Sequence, residues 1–196
     1  AHKQGGLPIL ADARLAIQQL HEALDAAGVK GGDETYVSEV ASVKESWNGQ
    51  MRTSILPEAG EVMSQGQVIE VLNAEVKEGE TIVAAAGTPP GDLLKQWDAS
   101  GGRHCHMEFG YSCMGYEIPA GIGVRMARPQ HEAFVFIGDG TYLMSPSELV
   151  TALQENLKIT VILSENHGFQ SIWNLQRNTA GREFGTEFRG RDEASG

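Results

Sequence analysis

The stretch AFVFIGDG, residues 133–140, decides the fold of this chain. Its first five residues are all apolar, and a continuous apolar run of this length is typical of a strand that is covered on both faces of a parallel sheet. The glycine, aspartate and glycine that follow let the backbone turn and approach a ligand closely. An aspartate just after a buried strand lies where open α/β sheets bind their ligands.

Downstream of this stretch, the pattern predicts one strand, helix, strand unit. Residues 138–144 are interpreted as a loop, and residues 146–154 predict a helix that has proline at its first position. Ser145 and Glu148 have the spacing of a capping box for that helix. Residues 159–163 (ITVIL) then predict the next strand.

Upstream, the same alternation of helices and strands continues. Ser64 and Gln67 form a capping box for a helix over about residues 65–76, and residues 81–86 (TIVAAA) predict a strand. Residues 115–128 predict a further helix. The alternation predicts an α/β fold, a doubly wound parallel sheet with helices on both faces.

Three segments divide the chain. We expect a helix within residues 1–30, a linker at residues 31–60 and the α/β domain over residues 61–196. Within the linker, residues 36–43 are interpreted as extended and residues 46–56 as helical. Both chain ends lack the signals of a finished domain, so we expect a fragment of a longer protein.

Charge and composition exclude several classes of partner. The formal net charge is −11 and the 15 Lys and Arg residues are scattered, so neither nucleic acid nor an anionic membrane is expected to bind. No apolar run approaches the length of a membrane span or forms a secretory signal. With two cysteines in the chain, a reducing cytoplasm is the expected location.

The two best-known phosphate-binding motifs are absent. No G-x-x-x-x-G-K-[ST] sequence occurs, which excludes a P-loop. Gly121 and Gly123 begin a G-x-G pattern, but the third glycine is missing and no strand precedes it, so the dinucleotide fingerprint fails as well. An anionic ligand therefore needs another local device, such as a metal ion.

Asp139 and Asn166 supply such a device. Asn166 follows Asp139 by 27 residues and comes just after the next predicted strand. A carboxylate and an amide oxygen at neighbouring strand ends are suited to Mg²⁺, which binds hard oxygen ligands and is often held together with substrate phosphates. The pattern favours a metal and diphosphate site, although an Asp-Gly turn taken alone is more often structural.

Two motifs occur in the same order as in a known enzyme family. The first motif combines residues 138–140 with ENHGF at 165–169, and the second is the upstream segment 110–123. Both resemble the cofactor-binding segments of thiamine diphosphate (ThDP) enzymes such as acetolactate synthases and pyruvate decarboxylases. The resemblance covers about residues 12–189. It implies that residues 1–30 are the tail of a central domain with its terminal helix, and that residues 61–196 are a ThDP diphosphate-binding domain truncated at its C-terminus. It implies that ThDP and Mg²⁺ are the cofactors.

The resemblance also assigns residues. It implies that Asp139, Asn166 and the Gly168 carbonyl ligate Mg²⁺, that Met114 supports the bent cofactor, and that the Ser112 carbonyl accepts a hydrogen bond from the aminopyrimidine. The cofactor-binding residues that it implies are Gly87, Thr88, Ser112, Met114, Gly138, Gly140, Thr141 and Gly168.

Within the family, the chain is most similar to the trihydroxycyclohexane-1,2-dione hydrolases of myo-inositol catabolism. Segments 107–117 (MEFGYSCMGYE), 174–176 (NLQ) and 184–189 (FGTEFR) carry that similarity. It implies that the substrate is a cyclic dione and that a ring C–C bond is cleaved to 5-deoxy-glucuronate. An acetolactate synthase-like carboligase or a decarboxylase stays open, as does a non-catalytic diphosphate-binding or structural domain.

The resemblance places part of the active site outside this chain. In this family a glutamate on an N-terminal pyrimidine-binding domain, usually from another subunit, protonates the cofactor. No catalytic residue is therefore assigned here, the fragment alone is expected to be inactive, and the intact protein is expected to be a homodimer or homotetramer.

Other reactive side chains receive ordinary interpretations. His104, Cys105 and His106 are adjacent in a strand and point alternately to opposite faces, which disfavours a metal site. Cys113 is interpreted as a packing residue because nothing near it in sequence lowers its pKa. Glu117 and His167 are left without a role.

Overall fold

A computed structural model of the chain describes residues 5–55 and 62–188. The chain divides into two compact units, and the boundary along the sequence falls between Gln50 and Met51. The end of the predicted linker, residues 56–60, and both chain ends lie outside the described residues.

The first unit contains helix α1 (Ala13–Ala26) and most of helix α2 (Glu34–Ile55). Asp12 caps α1, because its carboxylate accepts a hydrogen bond from Leu15 N at 3.1 Å. This confirms a helix within residues 1–30.

Helix α2 corrects the prediction of extended chain over residues 36–43. The valines of this segment favour strands, but Val37, Val40 and Trp47 recur at helical spacing, and the Asp33 carboxylate accepts a hydrogen bond from Thr35 N at 2.8 Å beside the first turn. The helical periodicity outweighs the propensity of the individual valines.

The second unit alternates helices with strands. Its elements, in chain order, are α3 (Gln65–Glu75), β1 (Thr81–Ala84), α4 (Pro89–Gln96), β2 (His104–Met107), α5 (Glu117–Ala127), β3 (Ala133–Gly138), α6 (Asp139–Tyr142), α7 (Glu148–Gln154), β4 (Thr160–Ser164) and α8 (Gln170–Ala180).

The four strands form a parallel sheet in the order β2-β1-β3-β4. On one face, Phe136 of β3 packs with Ile69 of α3 and Leu93 of α4. On the other face, Val135 of β3 packs with α5 and α7, where Ile118 is among the buried contacts. Neighbouring residues of one strand thus contact helices on opposite faces, which confirms the doubly wound α/β fold.

Local signals for helix ends have mixed outcomes. The Ser64 and Gln67 capping box is present, with Gln67 N donating to Ser64 Oγ at 3.2 Å and Ser64 N to Gln67 Oε1 at 2.9 Å. The capping box of Ser145 and Glu148 was wrong, because α7 starts at Glu148 with Ser147 at the N-cap position and no side-chain cap. The loop predicted at residues 138–144 contains the short helix α6.

None of the helices within residues 5–55 and 62–188 combines the length and the apolar composition that a membrane-spanning segment needs.

Candidate functional site

A cavity of about 150 Å³ lies at the carboxyl ends of the central strands. The turn after β1, the segment before α5, α6 after β3 and the segment after β4 line it. Every residue predicted to bind the cofactor is among the residues that line it: Gly87, Thr88, Ser112, Met114, Gly138, Gly140, Thr141 and Gly168.

Asp139 is buried beside this cavity, with 8% of its surface exposed. Its carboxylate accepts hydrogen bonds from three backbone N–H groups, those of Gly140 at 2.8 Å, Gly168 at 3.0 Å and Asn166 at 3.3 Å. These donors fix the orientation of the carboxylate and tie the end of β3 to the segment after β4.

The Asn166 side-chain amide meets two further oxygens. One terminal position of that amide lies 2.9 Å from the Gly168 carbonyl oxygen and 3.2 Å from Asp139 Oδ1. Without a cation, the amide satisfies both oxygens when its nitrogen occupies this position and donates to them. When its oxygen occupies the position, that oxygen lies beside two other oxygens, and a bound cation would stabilise this orientation.

The separations of these oxygens fit a magnesium ion. Oxygen ligands about 2.1 Å from an octahedral Mg²⁺ have neighbours about 3.0 Å away. The observed separations of 2.9 and 3.2 Å match that spacing. The structure therefore brings together the three groups that the sequence proposes as ligands, Asp139, Asn166 and the Gly168 carbonyl, in an arrangement that fits the ion.

A short strap, residues 184–188, holds Gly168 in place. Phe169 N donates to Thr186 O and Phe188 N donates to His167 O, both at 2.8 Å, and Gly168 forms an antiparallel bridge with Glu187. Gly168 has a φ of +147°, and a Cβ there would collide with the Thr186 carbonyl oxygen. Only glycine fits this position.

Gln176 of α8 fastens the strap to the helix. Its Oε1 accepts from Phe184 N at 2.9 Å, and its Nε2 donates to Phe184 O at 3.1 Å. The Thr186 hydroxyl lies 3.4 Å from the same Oε1. The sequence flagged residues 174–176 and 184–189 only through resemblance, and their contact is visible only in the fold.

Gly140 is needed for a close contact within the site. A Cβ at this position would lie 2.7 Å from the Phe169 ring and 3.3 Å from the Gly168 carbonyl oxygen. The Phe169 ring in turn packs edge-on against Phe188 of the strap, with the ring centroids 5.5 Å apart. The glycine lets α6 lie directly against the segment that carries Asn166 and Gly168.

Comparison with known proteins identifies the family of this domain. Residues 85–194 match the family described as thiamine pyrophosphate enzyme, C-terminal TPP binding domain. The chain belongs to the thiamine pyrophosphate enzyme family. Thiamine pyrophosphate is another name for ThDP, so the fold and the family agree on the class of cofactor.

Individual relatives narrow the similarity. The chain is 38% identical to 3D-(3,5/4)-trihydroxycyclohexane-1,2-dione hydrolase 2 of a Bacillus cereus strain. It is 37% identical to the 3D-(3,5/4)-trihydroxycyclohexane-1,2-dione hydrolase of Bacillus thuringiensis (strain Al Hakam) and 35% identical to the one of Clostridium perfringens (strain 13 / Type A). Each comparison covers 98% of this chain. The chain spans 33% of the length of these relatives.

In this TPP-binding domain, the hydroxyl groups of Thr88 and Thr141 form hydrogen bonds within the protein. Thr88 Oγ1 donates to Gln65 Oε1 at 3.0 Å, and that same oxygen accepts from Ser164 Oγ at 3.1 Å. The Thr141 hydroxyl lies 3.1 Å from Glu117 Oε2 and accepts from a backbone N–H, so its proton faces protein and not the cavity. Sequence reasoning gave no role to Gln65.

Two residues at the site have left-handed backbone conformations. Ser112 has a φ of 56° and His167 a φ of 62°. Such conformations are uncommon for residues other than glycine, and they concentrate at ligand-binding segments. The Ser112 conformation directs the backbone of the segment that the resemblance assigns to the aminopyrimidine. His167 is itself exposed, with its Nδ1 3.5 Å from Glu165 Oε1.

The Glu108 carboxylate organises the segment that leads to Met114. It accepts hydrogen bonds from Cys113 N at 2.7 Å and from Tyr111 N at 3.0 Å, and these bonds lower the pKa of the Glu108 carboxyl. Desolvation, followed by the Glu108 charge, raises the pKa of the Cys113 thiol. Burial raises the pKa of the Cys105 thiol to about 11. Neither cysteine has the lowered pKa of a nucleophile.

His104 and His106 lie on the exposed side of the edge strand β2. His106 Nε2 lies 2.7 Å from the Tyr116 hydroxyl, and the two rings stack. In the described part of the chain, no group of three or more His, Cys, Asp or Glu side chains is arranged to hold a metal ion. The candidate ion site is of a different kind, because it combines one carboxylate with an amide and a carbonyl.

Proposed function

We propose that this chain is the ThDP- and Mg²⁺-binding part of a hydrolase that cleaves a ring C–C bond of trihydroxycyclohexane-1,2-dione and yields 5-deoxy-glucuronate in myo-inositol catabolism. Asp139, Asn166 and the Gly168 carbonyl would hold the Mg²⁺, and the ion would supply positive charge for the cofactor diphosphate. The substrate is taken from the names of the relatives, which are 35–38% identical to this chain.

One observation carries the cofactor part of the proposal. One terminal position of the Asn166 side-chain amide lies 2.9 Å from the Gly168 carbonyl oxygen and 3.2 Å from Asp139 Oδ1, so the three groups meet at the ends of two neighbouring strands. No Lys or Arg is among the described residues that line the cavity, and the net charge of the chain is −11. A divalent ion supplies the charge that a diphosphate needs in such a surrounding.

The residues of this chain bind and orient the cofactor. The turn at Gly87 and Thr88 and the backbone N–H groups of Gly140 and Thr141 face the diphosphate, and Met114 provides an apolar support for the rings. When bound, ThDP supplies a carbon nucleophile and an electron sink for the cleavage of bonds next to a carbonyl. The task of the domain is to hold that group still and to exclude water around it.

The rest of the active site belongs to the longer protein. We propose that a glutamate on an N-terminal pyrimidine-binding domain of another subunit completes the site, within a cytoplasmic homodimer or homotetramer. Because this chain spans 33% of its relatives, it is expected to be inactive by itself.

Turnover by the intact protein tests the substrate. Release of the ring-opened acid from trihydroxycyclohexane-1,2-dione, dependent on ThDP and Mg²⁺, is the expected result. Turnover of pyruvate without turnover of the dione would instead indicate a carboligase or a decarboxylase. Absence of both activities, together with ThDP binding, would indicate a domain that binds the cofactor without catalysis.

Calorimetric titration tests the metal site independently of the substrate. Asp139→Ala in the intact protein is expected to abolish the Mg²⁺-dependent binding of ThDP. Asp98→Ala is the matched control, because the Asp98 carboxylate bonds to Ser100 and Arg103, neither of which lines the cavity. Unchanged affinity in Asp139→Ala would contradict the proposed site.

A further inference from the structure

Glu117 is a completely buried carboxylate for which the proposed function has no use. It is the first residue of α5, and none of its surface is exposed. Within the described residues, no ion pair involves it. A buried carboxylate is costly unless hydrogen bonds compensate it, so its contacts indicate why it is there.

These contacts join segments that surround the cofactor cavity. Glu117 Oε1 accepts from Ala86 N at 2.9 Å, and Ala86 lies in the turn after β1. The Thr141 hydroxyl donates to the carboxylate, with oxygen separations of 3.1 and 3.3 Å. Thr141 Oγ1 in turn accepts from Gly115 N at 2.8 Å. A chain of hydrogen bonds thus runs from the β1 turn through Glu117 and Thr141 to Gly115.

Each end of this chain adjoins a cofactor-facing residue. Ala86 precedes Gly87, which has a φ of +82°, and Gly115, with a φ of +86°, follows Met114. Both Ala86 and Met114 line the cavity. These two left-handed turns come from separate parts of the sequence, and Glu117 is the group through which the hydrogen-bond chain connects them.

This series of hydrogen bonds also fixes the direction of the Thr141 hydroxyl. A hydroxyl has one proton, and a carboxylate can only accept. With its proton on Glu117 and a lone pair facing Gly115 N, Thr141 acts as a relay between two backbone turns. A leucine of similar volume at position 117 would leave Ala86 N and the Thr141 hydroxyl without this partner inside the protein.

We propose that Glu117 is a positioning residue that preforms the cofactor cavity by holding the Ala86–Gly87 and Met114–Gly115 turns against α6. The inference rests on the proposed function, because it takes the cavity to be the ThDP site. Glu117 itself contacts neither cofactor nor substrate in this proposal. It acts through Ala86 N and through Thr141.

The test uses the intact protein and begins with the wild type. The wild type must bind ThDP in the presence of Mg²⁺. If it does not, the result contradicts the proposed function itself, whatever the role of Glu117. Glu117→Leu is then expected to weaken ThDP binding at least tenfold. The apparent KM for ThDP should rise while kcat at saturating ThDP changes less than threefold, because the chemistry of the bound cofactor is untouched.

Two further variants separate positioning from general stability. Glu117→Gln is expected to restore affinity to within threefold of the wild type, since its amide oxygen still accepts from Ala86 N. Glu132→Leu is the matched control: Glu132 lies at the opposite end of β3, where it pairs with Lys158 at 3.3 Å. The ThDP affinity of the Glu132→Leu protein is expected to stay unchanged even if its thermal stability falls.

The outcome against the proposal is a folded Glu117→Leu protein that binds ThDP as tightly as the wild type. If Glu117→Leu does not fold, Glu117→Gln, Thr141→Val and the double variant decide. Thr141→Val removes the relay hydroxyl and is expected to weaken ThDP binding, whereas Glu117→Gln alone stays within threefold of the wild type. With the relay already broken, adding Glu117→Gln to Thr141→Val is expected to cause no further loss. Additive losses, or unchanged affinity in Thr141→Val, would overturn the proposal.

Discussion

Replacement of Gly168 by alanine is expected to damage the metal site by displacing the strap at residues 184–188. The new Cβ would collide with the Thr186 carbonyl oxygen and lie 3.0 Å from Glu187 Cα, both backbone atoms. The left-handed φ of +147° adds strain. Together, the backbone strain and the overpacking are expected to cost about 2–6 kcal/mol.

The strap, and not the sheet, is expected to move in the Gly168→Ala protein. Its attachment beside Gly168 consists of two backbone hydrogen bonds and the ring contact of Phe169 with Phe188. At about 1 kcal/mol for each bond and about 1 kcal/mol for the rings, this attachment is worth about 3 kcal/mol. Because that is comparable to or smaller than the cost of the clash, the strap is expected to detach while the sheet stays folded.

Calorimetry with ThDP at saturating Mg²⁺ is the assay for Gly168→Ala in the intact protein. A carbonyl that is no longer fixed binds the ion poorly, so the affinity for ThDP is expected to fall at least tenfold, or about 1.4 kcal/mol. Gly181→Ala is the control, because Gly181 also has a positive φ, +67°, but a Cβ added there would meet no atom within 4 Å. A Gly168→Ala protein with wild-type affinity would refute the argument.

Three further changes probe the site, the core and the Glu108 loop. Gln176→Leu removes both bonds to Phe184 and is expected to weaken Mg²⁺-supported ThDP binding three- to tenfold in calorimetry. Gly121→Ala drives a Cβ into the Val135 side chain and is expected to lower the free energy of unfolding by about 1–3 kcal/mol in denaturant titration. Glu108→Gln removes a charge that raises the pKa of the Cys113 thiol, so thiol labelling of that cysteine near pH 8 is expected to become faster.

Each of these changes has its own control. Gln154→Leu makes the same substitution on the exposed end of α7 and should leave ThDP affinity unchanged. Gly123→Ala lies on the same helix as Gly121 but meets no atom within 4 Å, and it should stabilise the protein by about 0.5–1 kcal/mol. Cys105, whose thiol has a pKa raised to about 11, should label slowly with or without Glu108. Equal behaviour of a variant and its control would contradict the corresponding prediction.

The sheet and the proximity of Asp139 to Asn166 were predictable because strong local signals agree. The doubly apolar runs that became β1 and β3 require cover on both faces, which only a parallel sheet with helices on each side provides. Such a sheet places the ends of neighbouring strands at one edge. For that reason the 27-residue interval between Asp139 and Asn166 was enough to predict that they meet.

Contacts between distant, weakly patterned residues were beyond the sequence. Glu117 stands 31 residues from Ala86, and Gln65 stands 99 residues from Ser164, so neither pairing leaves a periodic signal. Helix α7 shows the opposite failure: a local motif at Ser145 was present, but the chain starts the helix three residues later. Short-range motifs compete with tertiary packing, and the packing decides.

The most direct test of the account is a crystal structure of the intact protein with ThDP and Mn²⁺ in place of Mg²⁺, using anomalous scattering to locate the ion. We expect a single peak about 2.1 Å from an Asp139 carboxylate oxygen, Asn166 Oδ1 and the Gly168 carbonyl oxygen, and bonded to the cofactor diphosphate. A peak elsewhere, or an Asn166 amide that still turns its nitrogen toward Asp139 with ThDP bound, would contradict the central claim.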